Sequence, residues 1–136
     1  LSGGIIDQPI GRHPKNRLKQ AVVSSGKEAV TEYEVIKNLR GYSLLKVFLH
    51  TGRTHQIRVH FSHMNMPIVG DQVYGGSRRF ALGTSPEQKS VIESFRRQAL
   101  HAKSLSFIHP QQGQEVVFKT ELPKDFKKLS DLLLNE

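Results

Sequence analysis

The 136-residue chain has no cysteine and no tryptophan, only two methionines, and an aromatic content of 7%. Without cysteine there is no disulfide, no thiolate nucleophile and no cysteine-based zinc site. No apolar run approaches the ~20 residues of a membrane span, and the chain carries no cleavable leader pattern. A cytoplasmic protein, or one of an organelle matrix, is therefore expected. Walker-type loops and dinucleotide fingerprints are missing too, so no nucleotide cofactor is expected. Nor is there an internal repeat or a low-complexity tract. Acidic side chains are the scarce charge: 12 Asp and Glu stand against 20 Lys and Arg, a formal net charge of +8. That excess suits a polyanionic partner, because Lys and Arg neutralise phosphates whatever the base sequence, although it also serves solubility alone. With 37% hydrophobic residues the size allows one domain with a modest core.

Chemistry-bearing residues concentrate between His50 and Gly76, where imidazoles, cations, glycines and turn formers crowd together. Thr51 and Gly52 end an apolar run, Thr54 is placed to cap a helix from about His55 to Met64, and Asn65, Met66 and Pro67 stop it. On that helix Ile57, Phe61 and Met64 share one stripe and are expected to anchor it. His55, Arg58 and Ser62 share another and are expected to be presented. Arg53 and Arg58 bracket the first turn, where free backbone N–H groups already favour an anion. A phosphate or a partner carboxylate is the natural guest; the alternative is a solvated helix start whose arginines pair with local acids.

Around this stretch the chain reads as α+β. Leu1 to Gly11 is an extended entry with a turn, and Arg12 to Lys19 a basic loop, since Pro14 disfavours helix at His13. Gln20 to Ser24 suggests a short strand and Ser25-Gly26-Lys27 a turn. Val30–Leu39 and Tyr42–Leu49 form a β-hairpin around Asn38-Leu39-Arg40-Gly41. Pro86 opens a short amphipathic helix with Val91, Ile92 and Phe95, ending near Arg97. Leu100–His109 and Glu115–Glu121 read as paired strands around Gln111-Gln112-Gly113, and Pro123 opens a last helix with Phe126, Leu129 and Leu133 on one side. The architecture implied is antiparallel hairpins with helices packed beside the sheet.

The run Gly52-Arg53-Thr54-His55-Gln56-Ile57-Arg58-Val59-His60, followed by Pro67-Ile68-Val69-Gly70-Asp71 and Tyr74-Gly75-Gly76, resembles the signature of RluA-type RNA pseudouridine synthases. Gly26-Lys27, Ala29-Val30-Thr31, Gln98-Ala99-Leu100-His101-Ala102 and His109-Pro110 extend the resemblance over nearly the whole chain. It is most similar to the RluD-like members, which modify large-subunit ribosomal RNA. The resemblance implies the mixed, mainly antiparallel sheet of that family's catalytic domain, with RNA across a cleft and no metal or other cofactor. It further implies isomerisation of a uridine: uracil is detached from C1′, turned, and rejoined through C5, after extrusion from its stack.

By position in the motif Arg58 matches the family arginine that pairs with the catalytic aspartate, and Leu100 matches an apolar residue near the base, its plainer fate being core packing. Arg12, Lys15, Arg17, Arg53, His55, Gln56, Arg78 and Arg79 become candidate RNA contacts. The family's His-Arg-Leu-Asp-type and Tyr-x-Ala-x-Val-type motifs, which carry its catalytic aspartate and tyrosine, do not occur between Leu1 and Glu136. The chain therefore resembles the C-terminal part of one catalytic domain. It begins with Leu rather than Met, and its partners would include RNA and the N-terminal part of the same protein. Taken alone it is expected to be inactive.

Three other readings compete. Asp71 lies near the basic helix but reads as an ordinary turn residue between Gly70 and Gln72. His50, His55, His60 and His63 invite a zinc hydrolase, yet His60 and His63 fall on a different side of the helix from His55, with no acidic residue at ligand spacing. A non-catalytic RNA-binding module fits the charge as well as an enzyme does.

Overall fold

Alternating apolar and polar side chains build the longest hairpin among the described residues. In the computed structural model, which describes residues 2–39, 42–75, 85–94, 100, 104–108, 115–119 and 124, strand β4 (Val30–Leu39) pairs antiparallel with β5 (Tyr42–Leu49). The register shifts between Val35 and Lys37, leaving Ile36 as a bulged, largely exposed residue. One extra residue in the ladder is why the alternation here is imperfect. The centre of the expected turn, residues 40 and 41, lies outside the described residues.

The entry segment is itself a strand. β1 (Gly3–Asp7) pairs along the other side of β4, giving a sheet of order β1-β4-β5. Because side chains alternate between faces, Ile6 and its partner Thr31 fall on the buried face, whereas exposed Ile5 and Phe48, with half-buried Glu32 between them, lie on the other. β2 (Ile10–Arg12) and β3 (Gln20–Val22) form a second hairpin around the basic loop. Gly26 passes so close to Ile10 that an added Cβ would strike its backbone. Ile10, Ala29, Val59 and Tyr74 make a buried cluster, with Val22 packed against it.

Helix α1 (Gln56–His63) lies against β3 and β4. Its buried residues are Gln56, Val59, His60 and Phe61, not the expected stripe of Ile57, Phe61 and Met64; Ile57 is half-buried and Met64 is exposed. Phe61 does anchor, edge-on to Tyr33 with ring centroids 5.4 Å apart. The face is rotated because Gln56 and His60 find buried polar partners and so cost little to bury. The start also differs: His55 occupies the N-cap position with left-handed backbone (φ 55°), without a side-chain cap, so Thr54 does not cap the helix. The end is as expected. Asn65 adopts φ 60°, its N–H bonds the Ser62 carbonyl, and the Met66 N–H bonds the Phe61 carbonyl, a Schellman closure in which Asn tolerates the left-handed position.

Helix α2 (Pro86–Ser94) opens with a capping box that the proline reading missed. Ser85 Oγ accepts the Gln88 N–H, and Gln88 Oε1 accepts the Ser85 N–H. Residues 95–97 of the expected helix and the side chains of Val91 and Ile92 lie outside the description. β6 (Ser104–Ile108) and β7 (Glu115–Lys119) pair antiparallel, so the first begins later than the expected Leu100. The turn at 111–113 and the last helix lie outside the described residues, apart from helical Lys124. The fold is α+β, and every pairing among the described strands is antiparallel. Among these residues no helix is long and apolar enough to cross a membrane.

Candidate functional site

The three side chains expected on the presented face of α1 converge on one residue, Tyr74. Arg58 lays its guanidinium 4.9 Å from the Tyr74 ring centroid. His55 stands edge-on to the same ring, its Nδ1 2.7 Å from the Tyr74 hydroxyl, and Ser62 Oγ donates to the Tyr74 carbonyl at 2.8 Å. The hydroxyl also accepts the Gln20 N–H at 3.0 Å. Lys19 places its ammonium 5.3 Å from the ring centroid. Tyr74 thus ties the basic β2–β3 loop to the arginine helix.

Arg58 is also paired. Its Nε donates to Asp71 Oδ2 at 2.9 Å and its Nη2 to Oδ1 at 3.0 Å, a two-point contact of the kind only arginine offers a carboxylate. Arg58 thus meets an acid of its own chain, the pairing that the alternative reading of the helix start expected. Asp71 is no ordinary turn residue, since its side chain is fully buried. Its Oδ1 further accepts the N–H groups of Val73 and Tyr74. Burial pushes the Asp71 carboxyl up, but the bonds from Arg58, Tyr74 and Val73 outweigh it and hold the group below the usual range. The same hydrogen bond raises Arg58 further above its ordinary value. The turn is shaped by glycine on both sides. Gly70 has φ 82°, and a Cβ on Gly75 would run into the Asp71 carbonyl.

Beneath this site runs a buried polar chain whose directions follow from donor counting. The Val30 N–H donates to Thr51 Oγ1, and that hydroxyl donates to Gln56 Oε1 at 2.7 Å. Gln56 Oε1 also accepts the Arg53 N–H, while its amide nitrogen donates to the Val30 carbonyl and to Thr31 Oγ1. His60 Nε2 faces the Gln8 carbonyl at 2.8 Å and so carries the proton. Its Nδ1 then accepts the Thr31 hydroxyl at 2.7 Å. Burial lowers the His60 pKa, with His63 acting in the same direction and the Gln8 carbonyl and Asp7 opposing.

The remaining candidates divide clearly. Arg12, Lys15 and Arg17 are exposed along the hairpin loop. That loop is shaped locally: His13 Nδ1 accepts the N–H groups of Lys15 and Asn16, and Asn16 Oδ1 accepts that of Leu18. Arg53 is half-buried and its Nε donates to the Glu28 carbonyl at 2.7 Å. Gln56 is 3% exposed with all four amide positions filled, so it is a structural clamp and has nothing left for RNA. Leu100 is half-buried. Arg78 and Arg79 lie outside the described residues. His50 pairs with Glu32 at 2.9 Å, and no group of three or more potential ligands is assembled for a metal among the described residues.

A family profile described as RNA pseudouridylate synthase matches residues 1–63. Ribosomal large subunit pseudouridine synthase D of Xanthomonas campestris is 44% identical over 133 residues, which is 98% of this chain and 40% of that protein. Its counterpart in Pseudomonas aeruginosa is 48% identical over 132 residues, 97% of this chain and 41% of that protein. Among solved structures, human RNA pseudouridylate synthase domain containing 1 superposes with a TM-score of 0.69 at 27% identity, covering 90% of this chain and 49% of its own. Human RNA pseudouridylate synthase domain containing 4 gives 0.69 at 26% identity, with 98% and 57% covered. The chain spans about two fifths of the length of the curated relatives it matches.

Proposed function

Because the chain belongs to the RluA-type RNA pseudouridine synthase family, with RluD-like proteins among its relatives, we propose that it forms the arginine half of a uridine-isomerising site. The reaction breaks the bond from N1 of uracil to C1′ and forms one from C5 to C1′; C5 loses its proton and N1 gains one. A carboxylate beside the ribose and base, supplied by a segment preceding this one, assists that exchange. Arg58 keeps the carboxylate ionised and placed. Leu100 forms part of the apolar floor of the base pocket. The substrate is structured RNA, with large-subunit ribosomal RNA as the target and the cytoplasm as the place of action.

One observation carries the assignment. A guanidinium has five N–H donors, and Asp71 takes two of them from the Nε/Nη2 edge. The remaining donors have no partner among the described residues, while the side chain is 13% exposed. Arg58 is therefore rigidly held and still has an edge to offer a second carboxylate. Around it, Arg12, Lys15, Arg17 and Lys19 supply contacts to phosphates.

Release of the C5 hydrogen from labelled uridine in RNA, measured on the full-length protein, tests the proposal. Arg58→Ala is expected to reduce release to near background while RNA affinity persists. Normal release with weakened binding would overturn the assignment. If the wild-type protein bound RNA and released no label, the non-catalytic binding module would be the better description.

A further inference from the structure

Arg58 is held more firmly than simple charge pairing requires. Two parallel bonds to Asp71 fix the plane of the guanidinium, and both carboxylate oxygens are used in doing so. Asp71 is itself immobilised, because Oδ1 also receives two backbone N–H groups and the side chain has no exposure. The face of the guanidinium rests over Tyr74, whose hydroxyl is tied to β3 through Gln20 and to the start of α1 through His55. Every direction except the unengaged edge is thereby constrained.

The charges around Tyr74 point the same way. Arg58 approaches the ring from α1, Lys19 approaches it from the β2–β3 loop, and His55 stands at its edge. Asp71 is the acid bonded into this group. Without it, Arg58 would meet the reacting carboxylate with its charge uncompensated. With it, the Arg58–Asp71 pair is close to neutral and still offers directed N–H donors.

We propose that Asp71, with the Tyr74 ring, is the positioning element for Arg58: it grips one edge, aims the other at the reacting carboxylate and balances the arginine charge. This rests on the reading that Arg58 faces a carboxylate supplied from outside this segment. The role is distinct from that of the reacting carboxylate itself, since Asp71 is buried and both its oxygens are already engaged.

The test uses the full-length protein. Asn at position 71 keeps an oxygen for the Val73 and Tyr74 N–H groups, so the turn is expected to survive Asp71→Asn. The expected result is a fall of about 10- to 100-fold in kcat for C5 hydrogen release, an unchanged Kd for RNA, and an acid limb of kcat/KM moved to lower pH. The limb moves because an uncompensated Arg58 stabilises the ionised form of the reacting carboxylate. A folded variant with wild-type kcat and pH profile would overturn the inference. Should Asp71→Asn fail to fold, Tyr74→Leu leaves the buried ion pair in place and is expected to give the same split between kcat and Kd; a normal kcat there also overturns it. Arg58→Ala run in parallel separates the two levels. If Arg58→Ala turns over normally, the reading of Arg58 itself fails; if it is inactive while Asp71→Asn is normal, only the positioning role fails.

Discussion

Gln56 shows how a residue that reads as a ligand group becomes a structural one. Its amide joins Thr51, Arg53, Val30 and Thr31, so Gln56→Leu would leave several buried donors and acceptors unmatched at once. A stability loss of about 3 kcal/mol or more is expected, measured by urea denaturation, with RNA affinity of the folded fraction unchanged. His60 gives a pH signature at the same scale. Its folded pKa is depressed mainly by burial, so the unfolded chain binds the proton more readily. Stability is therefore complete above the unfolded value near ~6.5 and falls as pH drops from there towards the folded pKa. The melting temperature should decline over that interval in the wild type. In His60→Gln the corresponding drop should be absent; an identical slope in both proteins would show that another group titrates. Neither partner set was legible beforehand. Spacing shows which residues share a helix face, but it does not show that Thr31 and Gln8 wait on the other side.

Elements were read better than their faces. The β4–β5 hairpin follows from its period-two pattern, and the Asn65 stop from turn chemistry, because both signals are local. The rotation of α1 was hidden, since an apolar stripe at Ile57, Phe61 and Met64 competes with buried polar residues whose partners are remote in sequence. Asp71 was hidden for the same reason: only the folded turn brings it back on to Arg58, thirteen residues earlier. The Asp71-Gln72-Val73-Tyr74 spacing, with glycine before and after, was the one available hint of a side-chain-capped turn. Two predictions belong here. Gly75→Ala is expected to open that turn, because its methyl meets the Asp71 carbonyl, lowering thermal stability and turnover together. Ser85→Ala is expected to cost about 1 kcal/mol at the start of α2, seen as faster amide exchange in the first turn with turnover unaffected.

For the whole molecule, the excess of positive charge is a statement about ionic strength. If Arg12, Lys15 and Arg17 each meet a phosphate, replacing all three by Ala should reduce the slope of log affinity against log salt by about 2 to 3 and weaken binding to unrelated RNAs alike. An unchanged slope would place the phosphate contacts elsewhere. The α+β class and the family resemblance were both legible, the first from alternation and turns and the second from the Gly52–His60 run. Which face of the sheet receives α1 was not, because that depends on where Gln8, Thr31 and His60 meet.

That meeting also bears on how the molecule assembles. The His60–Gln8 bond joins residues 52 apart, the Thr31–His60 bond residues 29 apart and the Gln56–Thr31 bond residues 25 apart. These bonds close only when the first strand, the central strand and the helix are all in place, so each depends on long loops having been closed first. The helix has only eight residues and little reason to persist alone. Its amides should therefore exchange with solvent in step with those of β1 and β4, as one opening unit. The arginine that the site depends on is thus set in place, and released, together with the strands that hold its helix.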